Sequence, residues 1–322
     1  MLLLLASLWA QVPPSPLPPE APPLVSQTVP ELIEAAVRSR QEGNLEAATR
    51  LLVELEPRVP AEAYAEYLYQ RAICAELALQ PAEAQRLYER VIGLQDQRVP
   101  DAHLRLAMVL EGLGQYREAL DHVLIVNGIN NLSEADQLTV QLQRGIAELN
   151  LGKRGPGLRH TQEALAQLEG TENSRWMRAK ARYTIAQMLY REAMDIHMTG
   201  SDRKAARNLK KRAALMKEAE DQVLTLIGYK ETEWILASMV AMGDAYRDWA
   251  TELRAATPPR KFGIVDQLAW RKEIEHYAEN ADTKAWHAYD EGITLATRLG
   301  WESPRVAELK ERRLEVEASR RP

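Results

Sequence analysis

The chain has 322 residues, 46% hydrophobic and 27% charged, enough apolar material for a sizeable core and for one or two domains. Its formal net charge of −5 argues against nucleic acid as a partner, because phosphate binding needs a clearly basic face. It also gives a membrane surface no bulk electrostatic attraction, and the single cysteine, Cys74, excludes an intrachain disulfide framework.

Residues 1–10 form a short apolar run closing on small residues, Ala6-Ser7-Leu8-Trp9-Ala10. That form predicts a signal peptide cut near Ala10, too short to span a bilayer, so the mature chain is expected to lack a transmembrane span. The expected location is periplasmic or exported, with a cytoplasmic chain bearing an apolar N-terminus as the alternative. Residues 11–30 carry Pro13-Pro14, Pro16, Pro18-Pro19 and Pro22-Pro23, which forbid helix and predict an extended, solvated tether.

Over residues 31–170 a phrase recurs, first as Gly43-Asn44-Leu45-Glu46-Ala47-Ala48 and again as Gly114-Gln115-Tyr116-Arg117-Glu118-Ala119. Small residues at Ala48, Ala84, Ala119 and Gly157 are separated by 36, 35 and 38 residues, and each is preceded by twelve residues by another, Ala36, Ala72, Ala107 and Gly145. One helix-turn-helix unit fits each interval, and small side chains at both heights let paired helix backbones interlock. In the fourth unit Gly155-Pro156-Gly157 is expected to delay or break its second helix.

These positions carry a resemblance to the tetratricopeptide repeat family. Leu32, Ala35, Ala36, Leu45, Ala48, Leu52, Leu55 and Pro60 fall on its signature in the first unit, Leu68, Ala72, Ala75, Ala84, Tyr88 and Val91 in the second, and Leu106, Ala107, Leu110, Gly114, Tyr116, Ala119, Val123 and Val126 in the third. The resemblance implies an all-α fold, an alpha-alpha superhelix or solenoid, whose concave face receives protein or peptide partners. By alignment, Tyr64, Arg71, Arg105 and Gln141 occupy first-helix positions and are candidate partner-binding residues.

Over residues 171–302 the units lengthen. Helices are predicted over Trp176 to His197, Arg203 to Ile227, Glu233 to Ala255, and from a cap at Asp266 toward Leu299, with Gly200-Ser201-Asp202 as a turn and Gly300 as a stop. Along the last of these, Trp270, Ile274, Tyr277, Ala281, Ala285 and Ala288 form one apolar stripe expected to pack in a core. Residues 303–322 open with Ser303-Pro304 and read as a charged capping helix. The long C-terminal units with the leader are similar to the periplasmic tetratricopeptide component of adventurous gliding-motility complexes, which implies assembly with other envelope proteins for motility or surface transport.

No Gly-rich phosphate loop, His-Glu-x-x-His, paired-cysteine motif or Gly-x-Ser-x-Gly elbow is present, so no catalytic residue, metal or cofactor is expected. Asp244, Asp248 and Glu252 share a helical face and are the candidates for a catalytic module in the C-terminal half, though an exposed helix offers such a face without any function. The run Arg203 to Arg212, with six cations, is expected to be a solvated helix face. The resulting expectation is a non-enzymatic interaction scaffold of the bacterial cell envelope. The alternative is a cytosolic adaptor or sensor for a peptide or small signal.

Overall fold

Thr28 starts the first helix with a reciprocal cap: its hydroxyl accepts from the Glu31 backbone N–H, and the Glu31 carboxylate accepts from the Thr28 N–H at 2.7 Å. A computed structural model of the chain describes residues 27–129, 132–168, 174–197, 202–258 and 261–319. The expected signal peptide, most of the tether, and the turn residues Gly200 and Ser201 lie outside them. The cap places Val29 and Pro30 inside α1, slightly before the expected end of the tether. Proline is tolerated in a first turn because its missing N–H would have no intrahelical acceptor there.

The described helices run in order α1 (Val29–Gln41), α2 (Leu45–Leu55), α3 (Tyr64–Leu77), α4 (Pro81–Gly93), α5 (Val99–Gly112), α6 (Tyr116–Asn127), α7 (Glu134–Asn150), α8 (Arg154–Leu168), α9 (Arg175–Met194), α10 (Asp202–Ile227), α11 (Thr232–Ala255), α12 (Ile264–Leu299) and α13 (Pro304–Ser319). No strand occurs among the described residues. The fold is all-α, of tetratricopeptide-like helical hairpins that lengthen from α9 onward. Packing divides the chain into two compact units after Val109, within α5.

The turns show why the repeat holds its spacing. After α1, α3, α5 and α7 the chain closes a Schellman motif, with backbone bonds Asn44 N to Ser39 O, Gln80 N to Ala75 O, Gln115 N to Leu110 O and Lys153 N to Glu148 O at 2.8–2.9 Å. The residue before each donor is left-handed: Gly43, Leu79, Gly114 and Gly152, with φ of 84°, 56°, 75° and 74°. Their intervals of 36, 35 and 38 residues repeat those of the small helix residues. The second turn therefore keeps its shape with leucine where the others have glycine, at a conformational cost of about 1 kcal/mol.

In the first unit, α1 packs on α2 and α3 on α4. Ala36, Ala48, Ala72 and Ala84 are all buried, and so are the larger Leu52, Leu55, Tyr67, Leu68, Leu87 and Tyr88. Each such side chain contributes roughly 1.5–3 kcal/mol through burial. Cys74 is buried among them, its thiol pKa pushed up by desolvation, as expected of a packing residue.

In the second unit α7 and α8 interlock at the glycines expected to be small. A Cβ on Gly145 would stand 2.6 Å from Thr161 Oγ1, and one on Gly157 would stand 2.9 Å from the Leu149 backbone nitrogen. Contrary to expectation, α8 is not delayed: it starts at Arg154 and runs through Gly155-Pro156-Gly157. Pro156 is the third helical residue, still in the turn whose N–H groups have no helical acceptor, so it removes no bond.

The longer hairpins pair α9 with α10 and α11 with α12, and α13 lies on α11 and α12. Gly243 meets the Tyr289 ring so closely that a Cβ would fall 2.2 Å from it. On α12 the expected core stripe holds for Ala281, Ala285 and Ala288 and fails higher up: Tyr277 is exposed, and Trp270 and Ile274 are half-buried. The helix simply outruns its partner α11. Its N-cap is Gly263 rather than Asp266, whose carboxylate lies one turn in and favours the positive end of the helix dipole. Gly300 ends it in the left-handed conformation, φ 60°, as expected.

Candidate partner-binding trough

Between α1 and the start of α3, within the first unit, lies an open trough of about 500 Å3. Pro30, Ile33, Val37 and Ala63 form its apolar surface, and Glu34, Arg38 and Glu66 its polar rim. One face of α1 supplies most of this lining, and Glu66 of α3 stands in the register of Pro30. Pro30 stands six residues before Ala36 and Glu66 six before Ala72, while Ile33 and Val37 flank Ala36 at three before and one after. Residues in equivalent register on successive first helices turn toward the same side.

None of the four candidate partner-binding residues lines this trough. Tyr64 is eight before Ala72, Arg71 one before it, Arg105 two before Ala107 and Gln141 four before Gly145. At about 100° per residue the registers of Tyr64, Arg71 and Gln141 fall within about 60° of one another, while Arg105, two before its small residue, has the register of Glu34. Tyr64 stacks on Tyr67 with ring centres 5.8 Å apart and accepts a bond from Arg90. Arg71 donates to the Tyr67 hydroxyl at 3.0 Å and to Glu56 at 3.1 Å. Arg105 donates to the Tyr69 hydroxyl at 3.2 Å and to Glu76 at 3.1 Å, and Tyr88 donates to the same Glu76 at 2.8 Å. These side chains clamp α3 to its neighbours.

Electrostatics agree with a structural clamp. Burial opposes the charge on Arg105, but Glu76, Tyr88 and Tyr69 outweigh it and raise its pKa. Desolvation pushes the Tyr69 hydroxyl up despite Arg105, and pushes Tyr88 up together with the adjacent Glu76. Glu66, on the trough rim, accepts from Arg98 and, at 2.7 Å, from Gln70. Arg98 also lies 5.0 Å over the Tyr69 ring.

Gln141 belongs to the second unit. It donates to Glu163 at 2.9 Å and lines a polar cavity of about 440 Å3 with Asn127, Gln137, Arg144 and His160. There Glu148 accepts from Arg144 at 3.1 Å and pairs with His160 Nδ1 at 2.7 Å.

The acids on α11 are engaged with neighbouring side chains, and Asp244 and Asp248 both approach Arg247. Tyr289 donates to Asp244 at 2.8 Å, and Arg247 and Arg312 lie near it. Burial raises the Asp244 pKa against those three partners. Glu252 holds Arg212, while Asp248 faces solvent. Among the described residues no group of three or more His, Cys, Asp or Glu side chains is placed to hold a metal ion. No described helix is long and apolar enough to cross a membrane.

One element of the basic run was illegible. Arg203, Lys204, Arg207, Lys210 and Lys211 are exposed as expected, but Arg212 is 1% exposed, donating to Glu252 and lying 5.4 Å over the Trp249 ring. The signal available was its spacing: Arg212 joins Met216, Ala219 and Val223 on the buried side of α10.

No protein-family model matches the chain, and no curated protein does. Solved structures do. The MamA RS-1 ArsTM double mutant is similar at 19% identity over 60% of this chain and 97% of its own, with a TM-score of 0.41. A tetratricopeptide repeat protein from Parabacteroides merdae ATCC 43184 is similar at 16% identity over 89% of this chain and 98% of its own, TM-score 0.44. A TPR repeats protein from Bacteroides fragilis NCTC 9343 shares 16% identity over 79% of this chain and 98% of its own, TM-score 0.34.

Proposed function

We propose that the protein is a non-enzymatic interaction scaffold that docks a segment of a partner protein in the α1–α3 trough. The observation that carries this reading is the trough itself: an apolar strip with acidic and basic groups at its rim, formed by one face of α1 against the start of α3. An extended or helical segment offering apolar side chains and a cation toward Glu34 fits that chemistry. Val37 is half-buried on this strip, so Val37→Arg fills the site with charge at little expense to the core. Mild crosslinking in the source cell followed by capture of the full chain tests it. The parent and Val53→Arg, an exposed position on α2, are expected to retain a common partner that Val37→Arg loses. An unchanged partner set with Val37→Arg overturns the reading.

The leader-like run and the proline-rich segment favour an exported scaffold tethered in the cell envelope, and the lengthened hairpins favour a motility or surface-transport assembly. N-terminal sequencing of the mature chain with cell fractionation tests the export reading. Loss of residues before Gln11 and recovery in the envelope fraction are expected. A cytosolic chain that keeps Met1 contradicts export and favours the adaptor or sensor alternative.

A further inference from the structure

α10 and α12 both project from one end of the second unit. Arg212 of α10 reaches Glu252, close to the C-terminus of α11, so the residues of α10 before 212 lie beyond that level. Arg254, one residue before the end of α11, pairs with Glu275 at 3.0 Å and with Asp282 at 2.7 Å on α12. The stretch of α12 from Ile264 to Glu275 therefore extends about 16 Å past α11 at 1.5 Å per residue.

Two kinds of side chain gather on these projections. Ile264, Val265 and Leu268 occupy the first turns of α12 and are 80%, 78% and 62% exposed, a contiguous aliphatic tip of a kind soluble surfaces rarely carry without a partner. Around it Lys261, Arg271 and Lys272 are exposed, and on α10 Arg203, Lys204, Arg207, Lys210 and Lys211 recur at three- and four-residue spacing on the solvent side. Among the described residues none of these eight cations forms an ion pair. Among the described side chains the acids at this end without an ion pair are Asp195, Asp266 and Glu273.

We propose that this end of the second unit docks on an anionic lipid bilayer, with the Ile264-Val265-Leu268 tip entering the headgroup boundary and the cations lying among the lipid phosphates. The dimensions fit. Ile264 and Arg271 are about 10 Å apart along the helix, so burying the tip to the 5–10 Å typical of interfacial helices brings Arg271 and Lys272 to headgroup level. Each cation held near such a surface adds roughly fivefold to partitioning. An acidic protein segment would account for the cations but leave the aliphatic tip in water. The local patch overrides the chain's net negative charge because screening confines each interaction to about 10 Å.

Flotation of the full chain with vesicles of phosphatidylcholine alone, and with about one-third phosphatidylglycerol, tests the proposal. The parent is expected to float with the anionic vesicles and not the neutral ones, and to be released by high salt. The triple variant Ile264→Ser, Val265→Ser, Leu268→Ser and the double variant Lys204→Glu, Lys211→Glu are each expected to bind at least about tenfold more weakly. Both are expected to melt as the parent does, since every substituted side chain is solvent-exposed. Val37→Arg is expected to float normally, which separates this surface from the trough. Absence of parent from the anionic vesicle fraction overturns the proposal, as does a triple-serine variant that floats like the parent. Binding to soluble polyglutamate that equals vesicle binding and survives the triple serine change identifies an acidic protein ligand instead.

Discussion

The two units use the same hairpin for different ends. In the first, short helices pack alanines against leucines and tyrosines, and charged groups stay at the margins as clamps such as Arg105–Glu76 and Arg71–Glu56. In the second, helices of 20 to 36 residues carry charges inward. Lys180 pairs with Glu111 where both are nearly inaccessible, lying 5.6 Å over the Trp176 ring. Arg212 is buried against Glu252 and Trp249. Longer helices leave more interior to fill, and here the filling includes ion pairs, which fix a partner geometry rather than add stability.

The largest expected effect probes that contrast. Lys180→Met strands the Glu111 carboxylate, whose pKa burial already raises against the pull of Lys180, and is expected to cost about 3–5 kcal/mol in denaturant unfolding. Adding Glu111→Leu is expected to restore most of that loss. A double variant as weak as the single would show that the pair is required for more than mutual neutralisation. Next, Gly145→Ala and Gly243→Ala put a methyl 2.6 Å from Thr161 Oγ1 and 2.2 Å from Tyr289. Each is expected to lower stability by about 1–3 kcal/mol; melts equal to the parent would mean that the helix pairs separate freely.

In the first unit, Leu79→Gly relieves the single non-glycine left-handed turn among the four repeat turns, and a gain of about 1 kcal/mol is expected by denaturant titration. A loss there would indicate that the exposed leucine makes a contact that outweighs its backbone strain. The smallest effect is expected from Pro156→Ala, within about 0.5 kcal/mol, because its ring sits in a first turn where no bond is missing. A large change would mean that Pro156 sets the entry into α8.

Much of the fold was legible because helix pairing in repeats rests on steric size at fixed spacing, and Ala36, Ala48, Ala72, Ala84, Gly145 and Gly157 announce themselves. The hairpin ends were legible through Gly43, Gly114 and Gly300. Leu79 was not, since nothing in a leucine signals positive φ. The trough itself was not legible: aligning small residues identifies which segments are first helices, while selecting lining residues also needs the side each one faces, which changes by about 100° with each step. Carrying the register of Pro30 forward by 36 residues reaches Glu66 on the trough rim; Tyr64, Arg71, Arg105 and Gln141 were placed on first helices by alignment, without regard to that register. The inward turn of Arg212 was concealed by its exposed basic neighbours, and the protruding half of α12 by a stripe whose period continues after its partner helix has ended.

The claim that the α1–α3 trough receives a partner segment is tested most directly by placing a photo-crosslinking amino acid at Val37, and separately at Val53, in the full chain inside the source cell. The account predicts an adduct to one discrete partner from Val37 and none from Val53. Adducts of equal yield from both positions, or from Val53 alone, would contradict it.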